Sequence, residues 1–346
     1  MASQQTAPSP GHADVAPRRS RQLLGFILDN LVWIILLAAL AAFSAFIPRF
    51  FQIGIFLNII EQSTFVGVIA VGLSLTLIAG HMDLSIESVM AISAMLVALT
   101  FGTGGAGAGL ALTPSFLAFP VSLAMALGVG ALIGAFNGIL VVRFEINAFI
   151  VTLASYIWGR GLVVAMSGGR SVYGLPDELR AMAIQRFLGI PFLAWVFIAV
   201  YVIVAFVLKS TPYGRHLFMI GGNMVASNRA GIRVARNVIL AFVLSGTLAG
   251  LAGWLLASRT AGATANLGIG MLFQAFAAVV IGGVSLRGGY GRLSGVFAGV
   301  LLLSSIQTAI NVMGMRPHFT MMIQGFLVLA AVLLDTAKNS LRRRYL

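Results

Sequence analysis

Two carboxylates lie four residues apart in an apolar stretch, LSLTLIAGHMDLSIESVMA at residues 73–91. Asp83 and Glu87 are two of only nine acidic residues in the chain. A carboxylate at the centre of a bilayer span costs roughly 2.5–3.5 kcal/mol on insertion scales. On one continuous helix the two would share a face and repel. That face must meet water, a partner or helix-terminal N–H groups. Two roles stay open. Asp83, with Leu84 and Ser85, can start a helix, cap its amides and place negative charge at the positive end of the dipole. The step from Asp83 to Glu87 is one residue longer than a capping box. In the other role, both acids line a translocation path. Asn137, Asn147, Thr152 and Gln274 are neutral polar residues in or beside apolar runs. Amides donate and accept, which suits hydroxyl-rich solutes. Hydrogen bonding between helices is the alternative for each.

Other chemistry is missing. His12, His81, His216 and His318 are scattered, with no metal-ligand spacing and no Ser-His-Asp pattern. There is no Cys. A phosphate-cradling loop needs Gly-Lys before Ser or Thr, but Lys209 and Lys338 follow Leu208 and Ala337. GTGGAG at 102–107 matches G-x-G-x-x-G but lacks the strand and helix that the fingerprint needs, so it reads as a flexible linker. The sequence therefore predicts no catalytic residue, metal or cofactor on this chain. If nucleotide hydrolysis drives it, another subunit performs that step.

The elements that hold these residues are membrane helices. The 346 residues are 59% hydrophobic and only 9% charged, with a mean hydropathy of +1.00. Soluble domains carry about 25% charged residues, so the composition predicts an all-α polytopic membrane protein. Apolar runs place about ten spans at 24–46, 61–79, 85–102, 115–141, 148–167, 190–209, 237–258, 268–285, 293–312 and 317–336. With both termini cytoplasmic, fifteen Lys and Arg fall inside and six outside, leaving Arg160 within a span. The net charge of +13 thus reads as a topology signal rather than a nucleic-acid surface. Residues 1–22 read as a disordered tail, 23–338 as one transmembrane domain and 339–346 as a basic tail. The run Leu31–Ile47 reads as a retained first helix, not a signal peptide. The basic inner loop 210–236 reads as either a docking surface or a topogenic loop.

A resemblance becomes usable at this point. AGHMDLSIES at 79–88 is similar to the Gly-x-x-Asp-Leu-Ser signature of ABC importer permeases of the ribose, xylose, arabinose and autoinducer-type branch. FNGILVV at 136–142, FIVTLASYIWGRGL at 149–162, GRHLFMIGGNMVASNRAGI at 214–232 and FAAVVIGGVSLRGGYGRLSGVFAGVLLL at 276–303 resemble later motifs in the expected order. The likeness covers about residues 25–338. It departs at Glu87, where Gly is usual, and at Asn147-Ala148, where Pro is usual. It departs also at Gln274, where an acid is common, and at Val284, where Thr is common. These departures leave the particular sugar open. The segments GHMDLS at 80–85 and GYGRLS at 289–294 also share Gly-x-x-x-Leu-Ser.

The resemblance implies a permease subunit of the bacterial inner membrane that moves a sugar or polyol inward by alternating access. It implies an ATPase partner carrying ATP and Mg²⁺, a periplasmic solute-binding protein, and a second permease copy or paralogue. It makes 210–236 the coupling segment. There Gly221 and Gly222 would turn the chain and Asn223 or Ser227 would cap a helix. Ala226 and Ala230 would form a small face, with Arg229, Gly231 and Arg233 beside it. The rival solutes are a branched-chain amino acid or a nucleoside. The rival class is an ion-coupled transporter using Asp83 and Glu87.

Overall fold

The computed structural model describes residues 18–110, residues 115–316, and positions 319, 322, 323, 325, 326, 329 and 333. Six helices are long and apolar enough to cross a membrane among the described residues. They are α2 (Ile53–Ile78), α4 (Ala118–Arg143), α5 (Ala148–Ser167), α7 (Phe192–Ser210), α10 (Val234–Thr260) and α12 (Leu293–Val312). Helix α1 (Arg18–Phe46) precedes them, and α3 (Ile86–Phe101) and α11 (Met271–Ile281) are shorter apolar helices between them. The protein is a mostly helical, polytopic membrane protein. Residues 18–22, expected in a disordered tail, belong to α1, while 1–17 and 339–346 lie outside the described residues. Most of the expected span 317–336 also lies outside them.

Small residues set the packing. Helix α10 runs along α2, α3 and α4. Gly130, Gly134 and Gly138 stand on one face of α4, and a Cβ on Gly130 or Gly134 would strike the carbonyls of Gly246 or Phe242 on α10. Such small-residue stripes let backbones touch where lipid offers no hydrophobic driving force. Gly72 of α2 approaches Ser245 of α10 in the same way, and Gly159 of α5 approaches Ser88 of α3. The buried core is centred on α2, α3 and α10.

The two ends differ. At one end, β1 (Gly104–Gly105), β2 (Val172–Tyr173) and β5 (Gly262–Ala263) form a small antiparallel sheet. The GTGGAG segment, expected as flexible linker, is therefore paired. Gly104 lies opposite Tyr173, and Thr103 N donates to Gly174 O at 3.2 Å. A short hairpin of β3 (Arg186–Phe187) and β4 (Ile190–Pro191) follows α6 (Asp177–Ile184). At the other end, α8 (Pro212–Gly222) and α9 (Met224–Arg229) fill the loop before α10. Gly221 and Gly222 close α8 rather than open the next helix. Asn223 then caps α9, accepting from Ala226 N at 2.9 Å.

Candidate functional site

Helix α2 ends at Ile78, and the chain runs through residues 79–85 before α3 begins at Ile86. Asp83 sits in this break. It does not share a helical face with Glu87, because Ser85 is the N-cap residue and α3 starts after it. The expected repulsion along one face is thus avoided, and each acid has its own partners.

Asp83 is 1% exposed and is held by hydroxyls. Ser85 N and Ser85 Oγ donate to its Oδ1 at 3.0 and 2.6 Å. The first of these closes an Asx turn. Ser245 Oγ donates to Oδ2 at 2.8 Å, an approach that Gly72 permits. The chain of donors extends outward. Asn137 Nδ2 donates to Ser85 Oγ at 2.9 Å, and Ser155 Oγ donates to Asn137 Oδ1 at 2.6 Å. Every donor in this relay points toward the Asp83 carboxyl oxygens. Asp83 thereby ties the break to α4, α5 and α10.

Glu87 is 0% exposed and is held by charge and amides. Its Oε1 pairs with Arg160 Nη2 of α5 and accepts from Tyr156 Oη at 3.3 Å. Gly270 N and Leu272 N donate to its Oε2 at 3.0 and 2.9 Å. Those amides open α11, so the carboxylate fills the anion site at a helix amino terminus. Gly270, at φ 87°, turns the chain into that helix. Arg160 Nη1 also donates to Leu267 O at 2.9 Å. Arg160, left within a span by topology, is thus the counter-ion of Glu87.

The remaining expected residues separate. Asn137 and Thr152 are buried, and Thr152 Oγ1 donates to Ala148 O at 2.8 Å and Met82 O at 3.2 Å. Asn147 is exposed and caps α5, accepting from Phe149 N at 2.9 Å. Gln274 is half-buried on α11. In the coupling segment, Gly222, Asn223, Ala226, Arg229, Ala230, Gly231 and Arg233 are exposed, and Gly221 is half-buried. Ala230 is the C-cap of α9, so Ala226 and Ala230 mark its two ends rather than a long smooth face.

Three backbones meet beneath this segment. A Cβ on Gly221 would strike the Ile78 carbonyl and Gly289 N. Gly289 N donates to Ile78 O at 2.9 Å. Gly288, at φ 84°, faces Gly80 and Gly221. Gly80, which opens one of the segments that share Gly-x-x-x-Leu-Ser, therefore touches Gly288, the residue just before the other, with Gly221 against both.

Residues 55–332 match the family described as branched-chain amino acid transport system / permease component. The chain is 32% identical to the ribose import permease protein of Haemophilus influenzae, covering 91% of this chain and 95% of that one. It is 34% identical to the L-arabinose ABC transporter permease protein of Azospirillum brasilense, covering 99% and 98%. It is 34% identical to the ribose import permease protein of Bacillus subtilis, covering 92% and 94%. No solved structure matches the chain significantly. Two buried carboxylates, each satisfied inside a bundle of apolar helices, thus belong to a membrane-embedded scaffold, and the chain is a member of the branched-chain amino acid transport system permease family.

Proposed function

We propose that this chain is the membrane permease subunit of an ABC importer that moves a sugar or polyol from periplasm to cytoplasm. The observation that carries the reading is the similarity, over more than nine-tenths of the chain, to permeases named for ribose and arabinose. The permease makes and breaks no covalent bond. Alternating access is driven by a separate ATPase subunit that holds ATP and Mg²⁺, and a periplasmic binding protein delivers the solute. With about ten spans and both termini cytoplasmic, the coupling segment faces the ATPase. Residues 23–338 act as one transmembrane unit, working with a second copy or a paralogue in the inner membrane.

The roles of single residues belong to this proposal. Asp83, Glu87, Asn137 and Thr152 shape the path from behind its wall, since all four are buried and bonded internally. Asn147 and Gln274 keep exposure and can meet solute. The exposed α9, with Asn223, Ala226, Arg229, Ala230, Gly231 and Arg233, seats on the ATPase, while Gly221 and Gly222 carry its displacement inward. A branched-chain amino acid is the second reading, favoured by the description of the matching family.

Reconstitution with its ATPase and binding-protein partners tests this. ATP-dependent uptake of D-ribose, L-arabinose or another neutral sugar is expected. Uptake by this chain alone on a proton gradient would refute the reading, and uptake of leucine but no sugar would select the second. Ala230→Trp and Arg229→Glu are expected to lower co-purification with the ATPase, the latter more at low salt.

A further inference from the structure

Between α9, the α4–α5 loop and the break that carries Asp83 lies an open cleft of about 860 Å³. It falls within the range of about 300–1,000 Å³ common to small-ligand sites. Its walls bear Glu145, Asn147, Val225, Asn228 and Arg229, with His81 beside them. The polar groups are not used up within the fold. Asn147 spends its Oδ1 on capping α5, and no hydrogen bond engages its Nδ2 among the described residues. His81 Nε2 is buried and has no partner among them. No ion pair joins Glu145 to Arg229 across the same space. Glu145 itself sits at φ 54°, a backbone conformation rare outside Gly. The cleft thus offers amide and guanidinium donors and a carboxylate acceptor. That mixture suits neighbouring hydroxyls, each of which both donates and accepts. Leu77, Met82 and Phe149 add apolar surface for a ring face.

We infer that this cleft is a release site for a single neutral sugar ring, entered from the membrane and left toward the cytoplasm. The inference rests on the sugar-import reading and adds a location and residues to it. A ring held there touches Met82, one residue from Asp83, and Val225 and Asn228 of α9. Occupancy therefore bears on both the polar relay and the segment proposed to meet the ATPase.

The chain has no Cys, so an introduced thiol is unique. Val225→Cys lines the cleft; Met219→Cys is exposed but does not line it. The full chain in nanodiscs is labelled with a maleimide in the presence of whichever of D-ribose and L-arabinose the reconstituted importer transports. At about ten times its Kd, the sugar is expected to slow labelling of Val225→Cys about tenfold, and to leave Met219→Cys unchanged. Adding Asn147→Asp, which keeps the capping oxygen and removes the amide donor, should abolish the protection. Asn228→Leu, which alters no cap, should do the same. A transported sugar that leaves Val225→Cys labelling unchanged overturns the release site while sparing the transport reading. Equal protection at Met219→Cys, or protection by D-gluconate in place of neutral sugars, also overturns it. Should no neutral sugar be transported, both fall together.

Discussion

Asp83 and Glu87 are close in sequence and equally sealed from solvent, yet opposite chemistry satisfies them. Hydroxyls and an amide relay hold Asp83, with no cation among its partners in the described residues. A guanidinium and the amides of a helix end hold Glu87. The difference teaches what each site can tolerate. A relay of neutral groups can re-aim its protons when one member changes, because hydroxyls rotate. A buried ion pair cannot, because removing one charge strands the other.

Substitutions around the two acids break or sharpen this contrast, in descending order of effect. Glu87→Gln leaves Arg160 with an uncompensated charge and is expected to cost about 3–5 kcal/mol of stability. Thermal unfolding in detergent reads this, and adding Arg160→Gln should restore most of the loss. If the double variant is no better than the single one, the ion pair is not what holds α3, α5 and α11 together. Asp83→Ala removes the shared acceptor of three donors, at about 1–3 kcal/mol, and is expected to lower transport. Asp83→Asn keeps the Asx turn and is expected to lose clearly less in both assays. Asn as harmful as Ala at equal expression would make the negative charge, not the relay, the essential feature. Asn137→Ala cuts the relay between Ser155 and Ser85 and should cost about 1 kcal/mol. A loss as large as that of Asp83→Ala would mean the relay fails as one unit. Tyr156→Phe removes the long 3.3 Å bond to Glu87 and is expected to cost about 0.5 kcal/mol. A larger loss would mean that Tyr156 shares the anchoring of Glu87 with Arg160.

Much of this arrangement was legible from residue order, and its gaps have physical reasons. Uninterrupted apolar length located α5 and α12 to the residue, since a span must match the bilayer. It placed the start of α2 eight residues late, at 61 rather than 53, because Gly54 and Asn58 interrupt the apolar run there. Glu61 pairs with Arg259 of α10 there. The pairing of Glu87 with Arg160 was missed although a signal existed. A lone Arg inside a span needs an acid at the same depth, and few acids lie within apolar runs. Ser245 and Ser155 carried no such signal, because hydroxyls are common in membrane helices and usually bond back to their own turn, as Ser63 and Ser74 do. The cleft was invisible for a different reason. Asn147 and Asn228 stand 81 positions apart, and only the fold, which sets α9 across the cleft from the α4–α5 loop, brings them to one space.

The meeting of Gly221, Gly288 and Ile78 has a mechanical consequence. Side chains between moving parts behave as springs, since rotamers absorb displacement before passing it on. Here main chain bears directly on main chain, like meshed teeth with no backlash. Any displacement of the end of α8 would reach the end of α2 and the break beside Asp83 with little play. The tolerance of such a bearing is less than one methyl group, so glycine here sets how closely the parts fit rather than how strongly they hold.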